Sequence, residues 1–134
     1  MTHFDKNADV VRSAYAAFAR RDLASALALM DPRVEWIQPD VLPWGGVYRG
    51  PDQIARFFAT LGEYVEGGRV EADEAWEADD HVVVLGRFRG RARVTNAEFA
   101  VELCHVWRVA DGRVTWFRNF VDTAALLRAL EAPS

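Results

Sequence analysis

Cysteine is almost missing from this chain. Cys104 is the only one in 134 residues, so no disulfide can form within it and no cysteine-based zinc motif exists. Lysine is equally scarce, with Lys6 alone, and the net charge is -4, which argues against a nucleic-acid surface. One basic cluster runs from Arg87 to Arg93, but Glu98 and Glu102 come after it to answer it. That stripe reads as a solvated or interface face, not a phosphate track. No apolar run approaches the roughly 20 residues of a membrane span, and the first ten residues hold no apolar signal core. These gaps predict a cytoplasmic protein with neither nucleic acid nor membrane as partner. No histidine and carboxylate grouping has metal-ligand spacing, so no metal and no cofactor are expected. Repeats, linkers and low-complexity tracts are missing as well. The chain is the size of one domain, spanning 1–134.

What is present begins with a long alternation. Val82, Val84, Gly86, Phe88, Gly90, Ala92 and Val94 share one face, as do Ala97, Phe99, Val101, Leu103, His105, Trp107 and Val109 after a turn. The other face carries Arg87, Arg89, Arg91 and Arg93, then Glu98, Glu102 and Arg108. A period of two through both arms predicts antiparallel strands with one hidden and one wet face. A two-residue turn at Thr95-Asn96 would pair Arg93 with Glu98, Arg89 with Glu102, and Gly86 with His105. In that register Gly86 either leaves open volume beside the imidazole or marks a bulge. His105 is the one group on the hidden face that titrates near neutral pH.

The remaining elements are set by caps and breakers. Asp5 or Asn7 can cap a helix to about Arg20, with Val11, Tyr15 and Phe18 on one face. Asp22 opens a short helix, Leu23 to Met30, and Asp31-Pro32 ends it. Val34 to Gln38 reads as a strand with Val34, Trp36 and Gln38 on one face. Pro39 to Gly50 is a loop, and Pro51 starts a third helix to about Glu63. Gly67-Gly68 breaks the chain before a strand, Arg69 to Ala78, whose inner face would hold Val70 and Trp76. A turn at 110–112 leads into Val114–Val121, and Asp122 caps a last helix carrying Leu126, Leu127 and Leu130. Helices collected on one face of an antiparallel sheet make an α+β fold.

This order resembles the SnoaL-like branch of the nuclear-transport-factor-2-like (NTF2-like) superfamily. The matching residues are Tyr15 to Phe18 with Arg21 to Leu23, and Leu42 to Gly46 through Tyr48 to Gly50. Asp80 to Val82, His105 to Trp107, Asp111 to Arg113 and Asp122 continue the match. The resemblance implies a cone: a curved antiparallel sheet whose N-terminal helices enclose a deep pocket. It also implies a frequent homodimer. Related ketosteroid isomerases place a carboxylate base where this chain has Gln38, and a protonated aspartate where it has His105. Polyketide cyclases follow the histidine with an acid/base aspartate at the position held here by Asn119. Two carboxylate positions are therefore amides.

The same alignment turns Phe117, Asn119 and Val121 inward, with Asn119 diagonal to His105. Val106, Trp116 and Phe120 then form an apolar convex patch that a partner subunit would cover. The pocket is expected to hold Tyr15, Trp36, Phe88, Leu103, Trp107 and Phe117, with Trp44 and Tyr48 on a loop at its mouth. His105 would be the general acid/base, since its ordinary pKa is about 6.5. Gln38 and Asn119 would stabilise charge on an oxygen, and Asp40 is a displaced base, a partner for His105, or a solvated loop residue. The leading reading is an acid/base isomerase, cyclase or dehydratase acting on a small apolar or aromatic carbonyl compound. The alternative, for which the missing carboxylates speak, is a non-catalytic ligand-binding or accessory domain.

Overall fold

A computed structural model describes residues 6–131; His3 and the candidate cap Asp5 lie outside them. Helix α1 (Asn7–Ala19) buries Val10, Val11, Ala14 and Ala17. Asp22 caps α2 (Leu23–Ala28), accepting from the Ser25 backbone N–H. That helix stops earlier than its sequence suggests, because β1 (Met30–Gln38) already begins at Met30. Asp31 and Pro32 fall where the pairing of β1 with its neighbour is interrupted, between Met30 and Glu35. A proline without an N–H fits such a gap. After it Val34, Trp36 and Gln38 are all buried, as their alternation predicts. The loop expected up to Gly50 contains a short strand, β2 (Gly46–Arg49), followed by α3 (Gly50–Tyr64) with Pro51 in its first turn.

The other strands are β3 (Val65–Ala78), β4 (His81–Ala92), β5 (Glu98–Ala110) and β6 (Arg113–Val121), and α4 (Thr123–Glu131) closes the chain. They form one six-stranded sheet in the order β2-β1-β6-β5-β4-β3. Only β1 and β6 run parallel. The sheet is curved and unclosed, α1 crosses its concave side over β3 to β6, and α3 packs on β1. No helix among the described residues is long and apolar enough to cross a membrane.

Faces were legible in the sequence; partners were not. The β4–β5 loop is longer than two residues, with Ala92 N–H donating to Ala97 O at 2.8 Å. Pairing therefore slides by two, which keeps every side chain on its expected face but changes what stands opposite. Val84, not Gly86, pairs with His105, and Gly86 pairs with Leu103. Glu98 meets Arg91 at 4.0 Å, while Arg93 reaches back to Glu66 at 3.4 Å. Arg89 bonds Glu71 at 2.7 Å, so β3 answers the arginine stripe more than β5 does.

Gly86 marks a bulge, the second of its two readings. A Cβ there would stand 2.0 Å from Glu71 O, so the space beside it is filled by the β3 backbone. Register shifts between Ala72 and Glu74, and this reverses the facing of the later β3 residues. Val70 stays opposite Phe88 on the inner side at the sheet edge, but Trp76 is turned to the outer side beside Val83, 50% exposed. Gly67-Gly68 does not break the chain either; it is a second bulge within β3, with Gly67 at φ 65.

The last strand keeps the expected facing by a different route. The β5–β6 turn is only Asp111-Gly112, since Ala110 pairs with Arg113. Alone, this would turn β6 over. A bulge at Thr115 restores the facing, so Arg108 pairs with Trp116, Trp107 with Phe117, and His105 directly with Asn119.

Candidate functional site

His105 sits midway along β5 on the concave face, between Leu103 and Trp107, and is 5% exposed. α1 lays Tyr15 across it. The Tyr15 hydroxyl is 2.6 Å from His105 Nδ1, and the Trp107 indole N–H donates to the same hydroxyl at 3.0 Å. The Tyr15 and His105 rings are nearly parallel, 9° apart, and Phe117 meets the imidazole edge-on at 4.8 Å. Such edge contacts with aromatic faces suit buried rings. Tyr15, expected as a lining residue, is hydrogen-bonded to His105.

Two carboxamides complete the cluster. Asn119 stands across the sheet from His105, and its Nδ2 donates to Gln38 Oε1 at 2.9 Å. Gln38 is 3% exposed. Asn119 Oδ1 is buried with no hydrogen-bond partner, and so is the Trp36 indole nitrogen. Buried polar atoms of this kind are uncommon in folded proteins, and each has a cost in desolvation.

Burial pulls the His105 pKa down to about 3, against an opposing pull from the Asn119 side chain that favours the charged ring. Burial is the larger of the two effects, and the Asn119 oxygen makes no well-directed hydrogen bond to the ring. Burial likewise raises the Tyr15 pKa above its ordinary value, which the Trp107 hydrogen bond only partly offsets. At neutral pH both groups are uncharged. A histidine with so low a pKa is a poor proton shuttle near neutrality, but a neutral imidazole still hydrogen-bonds.

The other expected residues divide. Trp36, Trp107 and Phe117 are mutually packed, with Trp36 and Phe117 stacked at 3.9 Å. Leu103 is buried beside them. Phe88 packs on Phe99 at 5.2 Å, four residues along β4 from the partner of His105. Trp44 is buried and faces Tyr64, while the Tyr48 hydroxyl bonds Trp44 O at 2.9 Å. Neither forms a lid at a mouth; both are tied into the packing around α3 and β2. Asp40 is exposed, and among the described residues it pairs with neither His105 nor the amides. Phe57 and Phe58 on α3, and Phe18 on α1, also contact Trp36 or one another. Their helical spacing signals an inward face, though not which sheet residue they meet.

Two surface concavities stand out. One, of about 520 Å³, is lined by Glu66, Arg69, Arg89, Arg91 and Glu98 and does not involve the cluster. The other, about 320 Å³, lies between Val41, Leu42, Pro43, Tyr64, Val94 and the α4 residues Leu127 and Leu130. It is mostly apolar and bounded by the segments that continue from Gln38 and Asn119, but neither of those residues nor His105 lines it. Its size falls at the lower end for small-molecule sites.

Residues 11–117 match the SnoaL-like domain family. The chain belongs to that family. The uncharacterized protein Rv0034 of Mycobacterium tuberculosis is 30% identical over 126 residues, covering 90% of this chain and 93% of that protein. An NTF2-like protein from Burkholderia thailandensis shares 34% identity with a TM-score of 0.90, covering 97% of this chain and 100% of the other. TerC, solved in co-crystals with polyporic acid, shares 29% identity with a TM-score of 0.87, covering 94% and 98%. The α+β fold implied by the sequence, a curved sheet with helices packed on it, is thus the fold of this SnoaL-like chain.

Proposed function

We propose that this protein binds a small, uncharged, largely aromatic molecule by hydrogen bonds to its oxygen atoms. The observation that carries this reading is the buried cluster of His105, Asn119 and Gln38, neutral throughout, with one amide oxygen left unpaired inside an aromatic shell. A charged ligand would find no opposite charge there, since Gln38 and His105 are the buried polar residues of the described chain. The apolar groove between Val41, Tyr64, Leu127 and Leu130 is the way in that its position favours. That TerC, similar in sequence and fold, was co-crystallized with polyporic acid supports a small organic ligand. An isomerase, cyclase or dehydratase works best with a positioned group whose pKa lies near the operating pH. His105 is not such a group, and Asp40 stands apart, so binding is preferred over acid/base catalysis.

Calorimetric titration with a panel of neutral aromatic ketones and quinones, against matching carboxylates, tests this. Saturable binding of a neutral member, weakened at least about tenfold in Asn119→Ala, is the expected result. Conversion of the bound compound during long incubation would return the protein to the catalytic reading.

For its partner, the same proposal takes a second copy of the chain. The outer face of the sheet exposes Trp76, Leu85 and Phe120 at 50%, 39% and 47%. Pairing sets them close together, with Val83 beside Trp76 and Cys104 between Leu85 and Phe120. Arginines on β4 and carboxylates on β3 and β5 flank this patch, a mixed-charge rim that can meet its own copy across a two-fold axis. Light scattering of the wild type and Phe120→Asp should show a dimer that the substitution dissociates.

A further inference from the structure

We propose that Tyr15, held by Trp107, is a positioning residue that locks His105 in the tautomer with its hydrogen on Nε2. The site then offers its ligand a hydrogen-bond donor at the imidazole. This inference deepens the binding role above and rests on it for the ligand, but the tautomer itself is a property of the unliganded protein.

The direction of the hydrogen bonds decides it. An indole N–H can only donate, and Trp107 donates to the Tyr15 oxygen at 3.0 Å. The phenol has one hydrogen of its own to place, and its remaining short contact is His105 Nδ1 at 2.6 Å. If Nδ1 carried a hydrogen, the tyrosine oxygen would face two donors. Its own hydrogen would then have no acceptor among the described residues. Nδ1 is therefore the acceptor, and a neutral ring keeps its single hydrogen on Nε2. Besides Tyr15, the side chain that acts on the ring is Asn119, whose Oδ1 makes no well-directed hydrogen bond to it.

The complement of this arrangement is a specific pair of ligand groups. His105 Nε2–H calls for an acceptor oxygen and Asn119 Oδ1 for a donor; they stand on directly paired residues with no well-directed hydrogen bond between them, so a ligand can bridge the two. A neutral hydroxy-carbonyl compound supplies both. A plain ketone supplies one, and an ether in place of the hydroxyl leaves Asn119 unsatisfied.

Long-range proton–nitrogen NMR on histidine-labelled protein tests the lock without any ligand. His105 is assigned by the signal lost in His105→Gln. In the wild type Nε2 should appear as the protonated nitrogen and Nδ1 as the bare one. In Tyr15→Phe the donor to Nδ1 is gone, and the two nitrogens should move toward averaged positions as both tautomers populate. Should Tyr15→Phe not fold, Trp107→Phe carries the test, because it frees the phenol to accept from Nδ1–H and should also mix the tautomers. A hydrogen on Nδ1 in the wild type overturns the proposal. So does an unchanged Nε2–H signal in whichever folded variant is read. A locked tautomer together with failure of every ligand in the calorimetric panel would count against the binding role and leave the lock standing.

Discussion

Acid should weaken this fold through His105 in an amount that can be worked out beforehand. In the unfolded chain that histidine takes up a proton below its ordinary pKa of about 6.5. In the folded chain burial holds it neutral down to about 3. Between those values the unfolded state binds the extra proton, so stability is full above 6.5 and is lost as pH falls toward 3. Each unit is about 1.4 kcal/mol, so moving from pH 6.5 to 4.5 costs about 3 kcal/mol. That is a large share of a stability of about 5–15 kcal/mol. Urea unfolding of wild type and His105→Gln at pH 7 and pH 4.5 isolates this contribution. The glutamine keeps an oxygen for the Tyr15 hydroxyl and does not titrate, and all other groups cancel in the comparison. The wild type should lose about 3 kcal/mol more than the variant. Equal losses in the two proteins would show that the imidazole is not held neutral, and the uncharged binding cluster would fall with it.

Particular contacts give three further expected outcomes. Gly86→Ala should lower stability by about 2–3 kcal/mol in urea unfolding, because a Cβ 2.0 Å from Glu71 O forces the β3 bulge to move. Asn119→Leu should cost about 1–2 kcal/mol by leaving Gln38 Oε1 without its donor. The double variant with Gln38→Leu should recover most of that, since neither partner is then stranded. Asp122→Ala should cost about 1 kcal/mol and fray α4 in hydrogen exchange, because its carboxylate accepts from the Ala125 N–H.

How much was legible depended on range. Alternation in β4 and β5 announces which side chains face inward, because that property belongs to each strand alone. What stands opposite each residue depends on loop length, and the loop at 93–96 is two residues longer than the shortest turn. Trp76 is misplaced by its sequence pattern for a related reason: a bulge opposite Gly86 reverses the outer half of β3, and bulges leave little trace in hydropathy. The two carboxamides stand out in the sequence because the resemblance to isomerases and cyclases implies acids at their positions. The Tyr15 contact to His105 joins residues 90 apart on different elements, and no local pattern encodes it. Trp44 reads as mouth-lining from its glycine-rich surroundings, yet those glycines let the loop fold tightly. A Cβ on Gly45 would stand 2.1 Å from Pro39 O.

Thr115 gives the final strand the character of a text with two frameshifts that cancel. The short turn shifts the frame once and the extra residue shifts it back, and only then does the message after it make sense. Deleting Thr115 would iron out the kink and leave Phe117 and Asn119 reading inward. Inserting one residue between Trp116 and Phe117 would instead swap the wording of both sides together, delivering Arg118 to the imidazole and Asn119 to the outer face of the sheet. In this chain, the inner and outer faces are thus spelled by a single shared count.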